Sequence, residues 1–411
     1  MAVPPTWGLR KAIVGFNVIR ERPLCRPGTF ASKEIQLGEF IFVVCQNGAE
    51  TPIKHDLMAS SLGYRLAFSR PGLLTFKAPA PIPNLLPEPQ SNPFASLRSA
   101  PLIRLLGAGL GNIHAQTELE RIDRTLELAG TRWDGIHVFR RDPFLPGSHE
   151  FEPGQDKVLA GLVDAWRSRL RDHSLELPIN AMAQPGQRLL DVIVVEPDCW
   201  YAGCHQANGT NESWPGGSWP VVAPTGMISR AYLKIAEALA WSGLPVTPDD
   251  WVVEIGSSPG GACQRLLDLG LRVTGVDPAA MDERILKHPR FEHWRGKAAT
   301  IKRKRYAKFR WLVADANVAP NYTLDVVGDI LQYPGNQIEG ILLTLKLSSW
   351  EHLDDLPKCL SSIRELGFDH VAVRQLASNR RECCLMGLRR RSKKPRAQRL
   401  VTAAAPQDLE T

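Results

Sequence analysis

No run of about 18 apolar residues occurs anywhere in this sequence, so no membrane-spanning helix is expected. The start of the chain has no apolar signal core, and secretion is not expected. No pair of CxxC motifs is present among the eight cysteines. "CWYAGC", Cys199 to Cys204, has neither the spacing nor the second pair of a common zinc site. Cysteines scattered in this way read as reduced thiols in a cytoplasm. No metal is therefore expected. At 411 residues, with 44% hydrophobic and 23% charged residues, the chain has the make-up of a soluble protein with two or three domains.

Positive charge is in excess, with 50 Lys and Arg against 43 Asp and Glu, for a net +7. It gathers in two runs, Lys287 to Arg310 and Arg389 to Arg399. Such runs are either solvated surface or contacts for a polyanion. Trp294, Tyr306 and Phe309 interleave with the first run, which tilts it toward nucleic acid, where aromatic rings stack on bases.

Along the chain the pattern changes twice. Residues 1–39 form a basic extension without periodicity. From 40 to 99 a strand ("EFIFVV"), a short helix closed by Gly63 and a hairpin around Arg70-Pro71-Gly72 make a small α+β unit. It ends in the proline-rich stretch near 79–93. A second α+β unit covers 100–205. It holds the strand "GIHVFRRD", an amphipathic helix with Val158, Leu159, Leu162 and Trp166 at helical spacing, and two strands around Pro197-Asp198. Turn formers mark 206–228 as a linker.

From 229 to 392 helices and strands alternate. A helix is expected from an N-cap at Ser229 to a stop at Gly243. Strands are expected at "WVVEI", "RVTGV", "RWLVA" and "GILLTL", and "FDHVAVRQL" with "ECCLMGL" should form an antiparallel hairpin. The pattern predicts an α/β fold with a mostly parallel sheet and an antiparallel last strand. Residues 393–411 are a basic tail.

The strand "WVVEI" runs into a turn, Gly256-Ser257-Ser258-Pro259-Gly260-Gly261, and then a helix. Glycines there let a ligand approach the backbone. A Walker loop is excluded because Ala262, not lysine, follows Gly261. A dinucleotide turn is disfavoured because the second glycine of GxGxxG is missing. An acid, Glu254, stands two residues before the first glycine.

This turn resembles the S-adenosylmethionine motif of the FtsJ-like ribose 2′-O-methyltransferases. The resemblance implies that Glu254, Gly256, Ser257, Ser258, Pro259, Gly260 and Gly261 bind S-adenosyl-L-methionine, with Glu254 supporting the turn and the cofactor's cationic end. Asp277, at the end of "VTGVDP", would accept hydrogen bonds from the adenosine ribose, and Asp315 would also contact the cofactor. The family's Lys-Asp-Lys-Glu set has matches at Lys234, Asp315, Lys346 and Glu382. Taken singly, Lys234 reads as part of a solvated face with Arg230 and Glu237. Glu382 alone reads as a surface ion pair beside Arg380 and Arg381.

A ribose hydroxyl needs a base to take its proton as it attacks a sulfonium methyl group. A lysine whose pKa is lowered by burial and a neighbouring cation would serve. That role falls to Lys346. Lys234 would raise the positive potential, Asp315 would orient the lysines, and Glu382 would place Lys346 or the ribose.

The stretches "LLDVIVVEPDCWYAGCHQ", "APTGMISRAYLKIAEA" and "EIGSSPGG" are similar to the bacterial family of 23S ribosomal RNA 2′-O-ribose methyltransferase M. That family implies a ferredoxin-like part at 40–99 and a THUMP RNA-binding domain at 100–205. It implies a Rossmann-like methyltransferase at 229–392, a cytidine target in large-subunit ribosomal RNA, and no membrane partner. A catalytically silent RNA-binding or assembly factor on the same fold is the alternative. Base methylation is disfavoured because "DANVAPN" lacks an Asp/Asn-Pro-Pro-Tyr/Phe motif.

Overall fold

The computed structural model describes residues 39–389 apart from 61, 80–99, 131, 156–157 and 210. The basic extension, the proline-rich stretch and the basic tail beyond Arg389 lie outside the described residues. No described helix is long and apolar enough to cross a membrane.

The first half of the chain builds one sheet. Its elements are β1 (Phe40–Val44), α1 (Glu50–Ala59), β2 (Arg65–Arg70), β3 (Leu73–Lys77), β4 (Leu105–His114), α2 (Glu118–Ala129), β5 (Gly135–Arg140), α3 (Val158–Asp172), β6 (Arg188–Glu196) and β7 (Cys199–Gln206). The strands lie in the order β2-β3-β1-β4-β7-β6-β5, and only β5 and β6 run parallel. The two α+β units expected at 40–99 and 100–205 therefore share a single sheet. The joint between them is β1 paired antiparallel to β4.

Strand β4 is absent from the sequence reading because Gly107, Gly109 and Gly111 break its alternation. Those glycines have a packing reason. A Cβ on Gly107 would come 2.4 Å from the Phe42 ring, and one on Gly109 would come 1.9 Å from the Tyr201 hydroxyl. Helix α2, also unanticipated, starts in a capping box between Thr117 and Glu120.

The second half alternates as expected. It comprises α4 (Ala231–Ser242), β8 (Trp251–Ile255), α5 (Gly261–Asp268), β9 (Arg272–Val276), a short α6 (Glu283–Leu286), β10 (Phe291–Trp294), β11 (Trp311–Ala314), α7 (Pro320–Leu331), β12 (Gly340–Lys346), α8 (Leu356–Glu365), β13 (His370–Arg374) and β14 (Glu382–Leu388). The strand order is β10-β9-β8-β11-β12-β14-β13, and β14 alone runs against its neighbours. This is a Rossmann-like sheet with the antiparallel last strand that the pattern predicts. The order reverses between β8 and β11, so a ligand is expected at the carboxyl ends of those strands.

Two local expectations are corrected. Ser229 does not cap α4. Arg230 holds that position without a side-chain cap bond, and the buried Ser229 hydroxyl has no hydrogen-bond partner. Trp294, Tyr306 and Phe309 do not form a stacking platform either. All three are buried, and Trp294 packs on Tyr306 and Phe309 with ring centroids 5.7 and 5.6 Å away. The cations of that run are drawn to carboxylates of the same chain: Lys287 to Glu283, Arg290 to Asp249, Arg303 to Asp329, and Arg310 to Asp250 and Glu339. Alternating charge and apolar rings there build a β-strand and a core edge, so the run offers less free charge than its composition suggests.

Candidate active site

A cavity of about 510 Å³ opens at the strand switch, lined by Gly256 and Ser258 of the turn, Asp277 after β9, and Asp315 to Val318 after β11. Asp277 is already engaged with backbone donors. Its Oδ2 accepts from Ser258 N at 3.2 Å and its Oδ1 from Ala279 N at 2.8 Å. These bonds hold the carboxylate at the cavity rim while leaving lone pairs for a ligand's hydroxyls. It caps no helix; Asp282 caps α6.

The glycines of the turn serve packing more than ligand approach. A Cβ on Gly260 would lie 2.9 Å from Ile285, and one on Gly261 would lie 2.1 Å from the Ser229 hydroxyl. Neither residue lines the cavity, nor do Glu254, Ser257 or Pro259. Gly256 does, at φ +78°, yet its absent Cβ would meet Ala316 at 2.7 Å. Small residues are demanded because α5, the α4 entry and the β11 loop converge on the turn.

Glu254 also differs from its expected role. It is buried, and the Cys263 thiol donates to its Oε2 at 2.7 Å. Burial first, then the negative charges of Asp315 and Asp277, push its pKa up to about 8, so at neutral pH the acid is largely protonated. It supports the turn from within the core and presents no charge to the cavity.

The four other candidates come together. Lys234 Nζ lies 3.3 Å from Asp315 Oδ2 and 2.6 Å from Glu382 Oε1. Lys346 Nζ lies 3.1 Å from Asp315 Oδ1 and 2.5 Å from Glu382 Oε2. Each carboxylate thus bridges both lysines in a square of alternating charge. Register explains half of it, because Lys346 and Glu382 are directly opposed across β12 and β14. Helix α4 supplies Lys234, and the end of β11 supplies Asp315. Asp315 is held ionised. Burial opposes its charge, but Lys234 and Lys346 outweigh burial and lower its pKa.

Lys346 is corrected in one respect. Burial does pull its pKa down, but Asp315 and Glu382 more than offset this, and the net shift is upward. Without substrate it is an ammonium, because its nearest partners are two carboxylates.

Two residues of the site escaped the sequence reading. Glu237, one turn after Lys234, is buried. Its carboxylate accepts from Ala377 N and Ser378 N at 2.8 Å each and from Ser378 Oγ at 2.6 Å. It holds the turn that leads into Glu382. Asn379 in that turn donates to Glu382 Oε1 at 3.3 Å. The i, i+3 spacing of Lys234 and Glu237 was the available signal; it reads equally as a solvated face.

Residues 227–352 match the model of the FtsJ-like methyltransferase family. This part of the chain is an FtsJ-like methyltransferase domain. The matched stretch holds Lys234, Asp315 and Lys346, and Glu382 lies outside it. The chain is similar to the ribosomal RNA large subunit methyltransferase M of Hahella chejuensis, 29% identical over 39% of this chain and 43% of that protein. With the enzyme of the same name from Halorhodospira halophila it shares 26% identity, over 46% of this chain and 56% of that protein. The match to the Marinobacter nauticus enzyme is 24% identical and longer, covering 70% of this chain and 82% of that protein. The chain spans about half the length of the first two relatives.

Proposed function

We propose that this protein transfers a methyl group from S-adenosyl-L-methionine to a ribose 2′-hydroxyl of large-subunit ribosomal RNA, with a cytidine as the target. The observation that carries this reading is Asp315, which belongs both to the cavity wall and to the lysine–carboxylate square. A methyl donor in the cavity and an acceptor hydroxyl at the square would meet at that residue.

The residues fit the cofactor. A cavity of about 510 Å³ is of small-molecule size. Asp277 would hold the ribose hydroxyls, and Ile255 and Val327 supply apolar wall for a base. Once bound, the cofactor supplies an electrophilic methyl group on a sulfonium.

The chain's own residues manage the proton. Lys346 Nζ receives the proton of the ribose hydroxyl, which requires that it first release its own. Asp315 and Glu382 each contact both lysines and fix the distance between the two amines. Lys234 keeps positive potential beside the oxygen that becomes anionic, so charge developing there meets a preorganised cation. Placement of the hydroxyl against the methyl group supplies much of the rate.

Within this reading residues 229–392 are the methyltransferase domain and 206–228 the linker. Residues 100–205 are a THUMP-like RNA-binding part, 40–99 a ferredoxin-like part, and the compartment is the cytoplasm. The test is incubation with labelled S-adenosylmethionine and unmodified large-subunit ribosomal RNA, followed by mapping of alkali-resistant linkages. The expected outcome is one resistant site that disappears with Lys346→Ala. No incorporation, or incorporation indifferent to that substitution, would overturn it.

A further inference from the structure

Three polar side chains meet in the interior of the first sheet, far in sequence from the methyltransferase residues. His137 on β5 lies opposite Asp191 on β6, and His205 stands on the next strand, β7. All three are fully buried. One ligand-capable atom of each lies within 4.8 Å of the others.

The hydrogen bonds define how the two rings are held. His137 Nε2 lies 3.2 Å from the carbonyl oxygen of Ala181, and His205 Nε2 lies 2.8 Å from that of Glu212. A carbonyl only accepts, so each Nε2 carries the hydrogen. His205 then meets Asp191 Oδ2 through Nδ1 at 2.6 Å. The remaining atoms are unsatisfied: His137 Nδ1 and Asp191 Oδ1 have no hydrogen-bond partner. With Nε2 protonated, His137 Nδ1 bears a lone pair. Two acceptors are thus buried in one cluster without a donor, an arrangement that costs free energy unless something positive or protic joins them.

We propose that His137, Asp191 and His205 form a binding site for a divalent transition-metal ion of the zinc class. Two imidazoles and one carboxylate are a borderline-hard donor set suited to that ion. Carbonyl tethers on the far ring nitrogen are the outer contacts that orient ligating histidines. The ion would satisfy both orphaned acceptors at once and take over from the His205–Asp191 hydrogen bond. It would tie β5, β6 and β7 to the segments around Ala181 and Glu212, a structural role acquired during folding. The cysteine pattern gives no hint of this site, because the ligands come from three strands and include no thiol.

The full-length protein, expressed with supplemental zinc and exchanged into metal-free buffer, is expected to retain one metal ion per chain. After reconstitution with Co²⁺ it should show visible d–d absorption without thiolate-to-cobalt charge transfer. His137→Gln and Asp191→Asn should each lower occupancy at least about tenfold, while S-adenosylmethionine binding persists. Chelation of the wild-type protein should lower Tm by about 2–4 °C, restored by zinc. A metal-free wild-type protein would overturn the proposal and leave a buried water as the donor. Thiolate charge transfer, or full occupancy in soluble His137→Gln, would overturn it in favour of a cysteine site. If the variants fail to fold, metal content and the cobalt spectrum of the wild-type protein decide alone.

Discussion

If Lys346 is the base, as proposed above, its raised pKa has a kinetic consequence. Only the neutral amine can take a proton, so at pH 7 few molecules are competent. log(kcat/KM) should rise with pH with a slope of about 1 between pH 7 and 9. Lys346→Arg should leave transfer at least about a hundredfold down, because a guanidinium keeps its proton. A flat pH profile would remove Lys346 from the role of base.

Glu254 titrates in the opposite sense. Its folded pKa of about 8 lies above the ordinary 4.5, so the folded state holds the proton more tightly. Its contribution is complete below pH 4.5 and is lost as pH rises through 8. Wild-type Tm should therefore fall between pH 5 and 9 by more than that of Glu254→Gln. Parallel curves from the two proteins would show that the acid ionises freely in the core. Neither effect is visible in the sequence, because a pKa depends on what surrounds the group. Lysine and glutamate at the ends of strands are ordinary.

At the scale of elements, α4 organises the site through two residues on one face. Its Lys234 enters the square, and its Glu237 fixes the Ala377–Ser378 turn that delivers Glu382. Glu237→Gln would leave backbone donors facing an amide group, at a cost of about 1–3 kcal/mol each. The expected result is a lower kcat with the cofactor KM unchanged, together with faster amide exchange at residues 376–379. Unchanged exchange there would show that the turn holds itself.

The entry to the same helix packs on the glycine turn. Gly261→Ala would press a methyl group onto the Ser229 hydroxyl and should cost about 1–3 kcal/mol by urea titration. Adding Ser229→Gly should recover part of that loss, since the carbonyl oxygen of residue 229 stays 2.9 Å from the new methyl group. Additive losses would mean that the clash lies elsewhere. The helix and its stop at Gly243 were legible from apolar spacing; the task of its polar face was not, since spacing does not say what a face meets.

At the scale of the whole molecule, the two sheets are joined by hydrogen bonds that run across sequence separations of more than 200 residues. Arg374 at the end of β13 donates to the carbonyl oxygens of Ile103 at 2.5 Å and Arg104 at 2.8 Å, just before β4. Gln375 N bonds Pro101 O at 2.7 Å, and Arg380 bonds Pro146 O at 2.9 Å. Arg230 pairs with Glu152 and also reaches Ser378 O, beside the turn that Glu237 holds. The loops of the first sheet thus touch the segment that leads to Glu382. Burial lowers the pKa of Arg374 to about 10. Arg374→Ala should lower stability by about 2–3 kcal/mol and separate thermal unfolding into two transitions. A single transition with a loss under about 0.5 kcal/mol would show the halves to be held by other contacts.

Periodicity and turn chemistry are local properties, written into neighbouring residues before the chain folds. The alternation after Ser229, the antiparallel final hairpin, the bare turn before α5 and the acid after β9 all belong to that class. Which polar groups face one another is a property of the folded molecule alone. Folding gathered Lys234, Asp315, Lys346 and Glu382 from four elements and withdrew Glu254 into the core. It turned Trp294, Tyr306 and Phe309 inward, and it brought His137, Asp191 and His205 together across three strands. Hydrogen bonds and charges act over a few ångströms, whatever the separation along the chain, so their partners exist only once the sheets have formed.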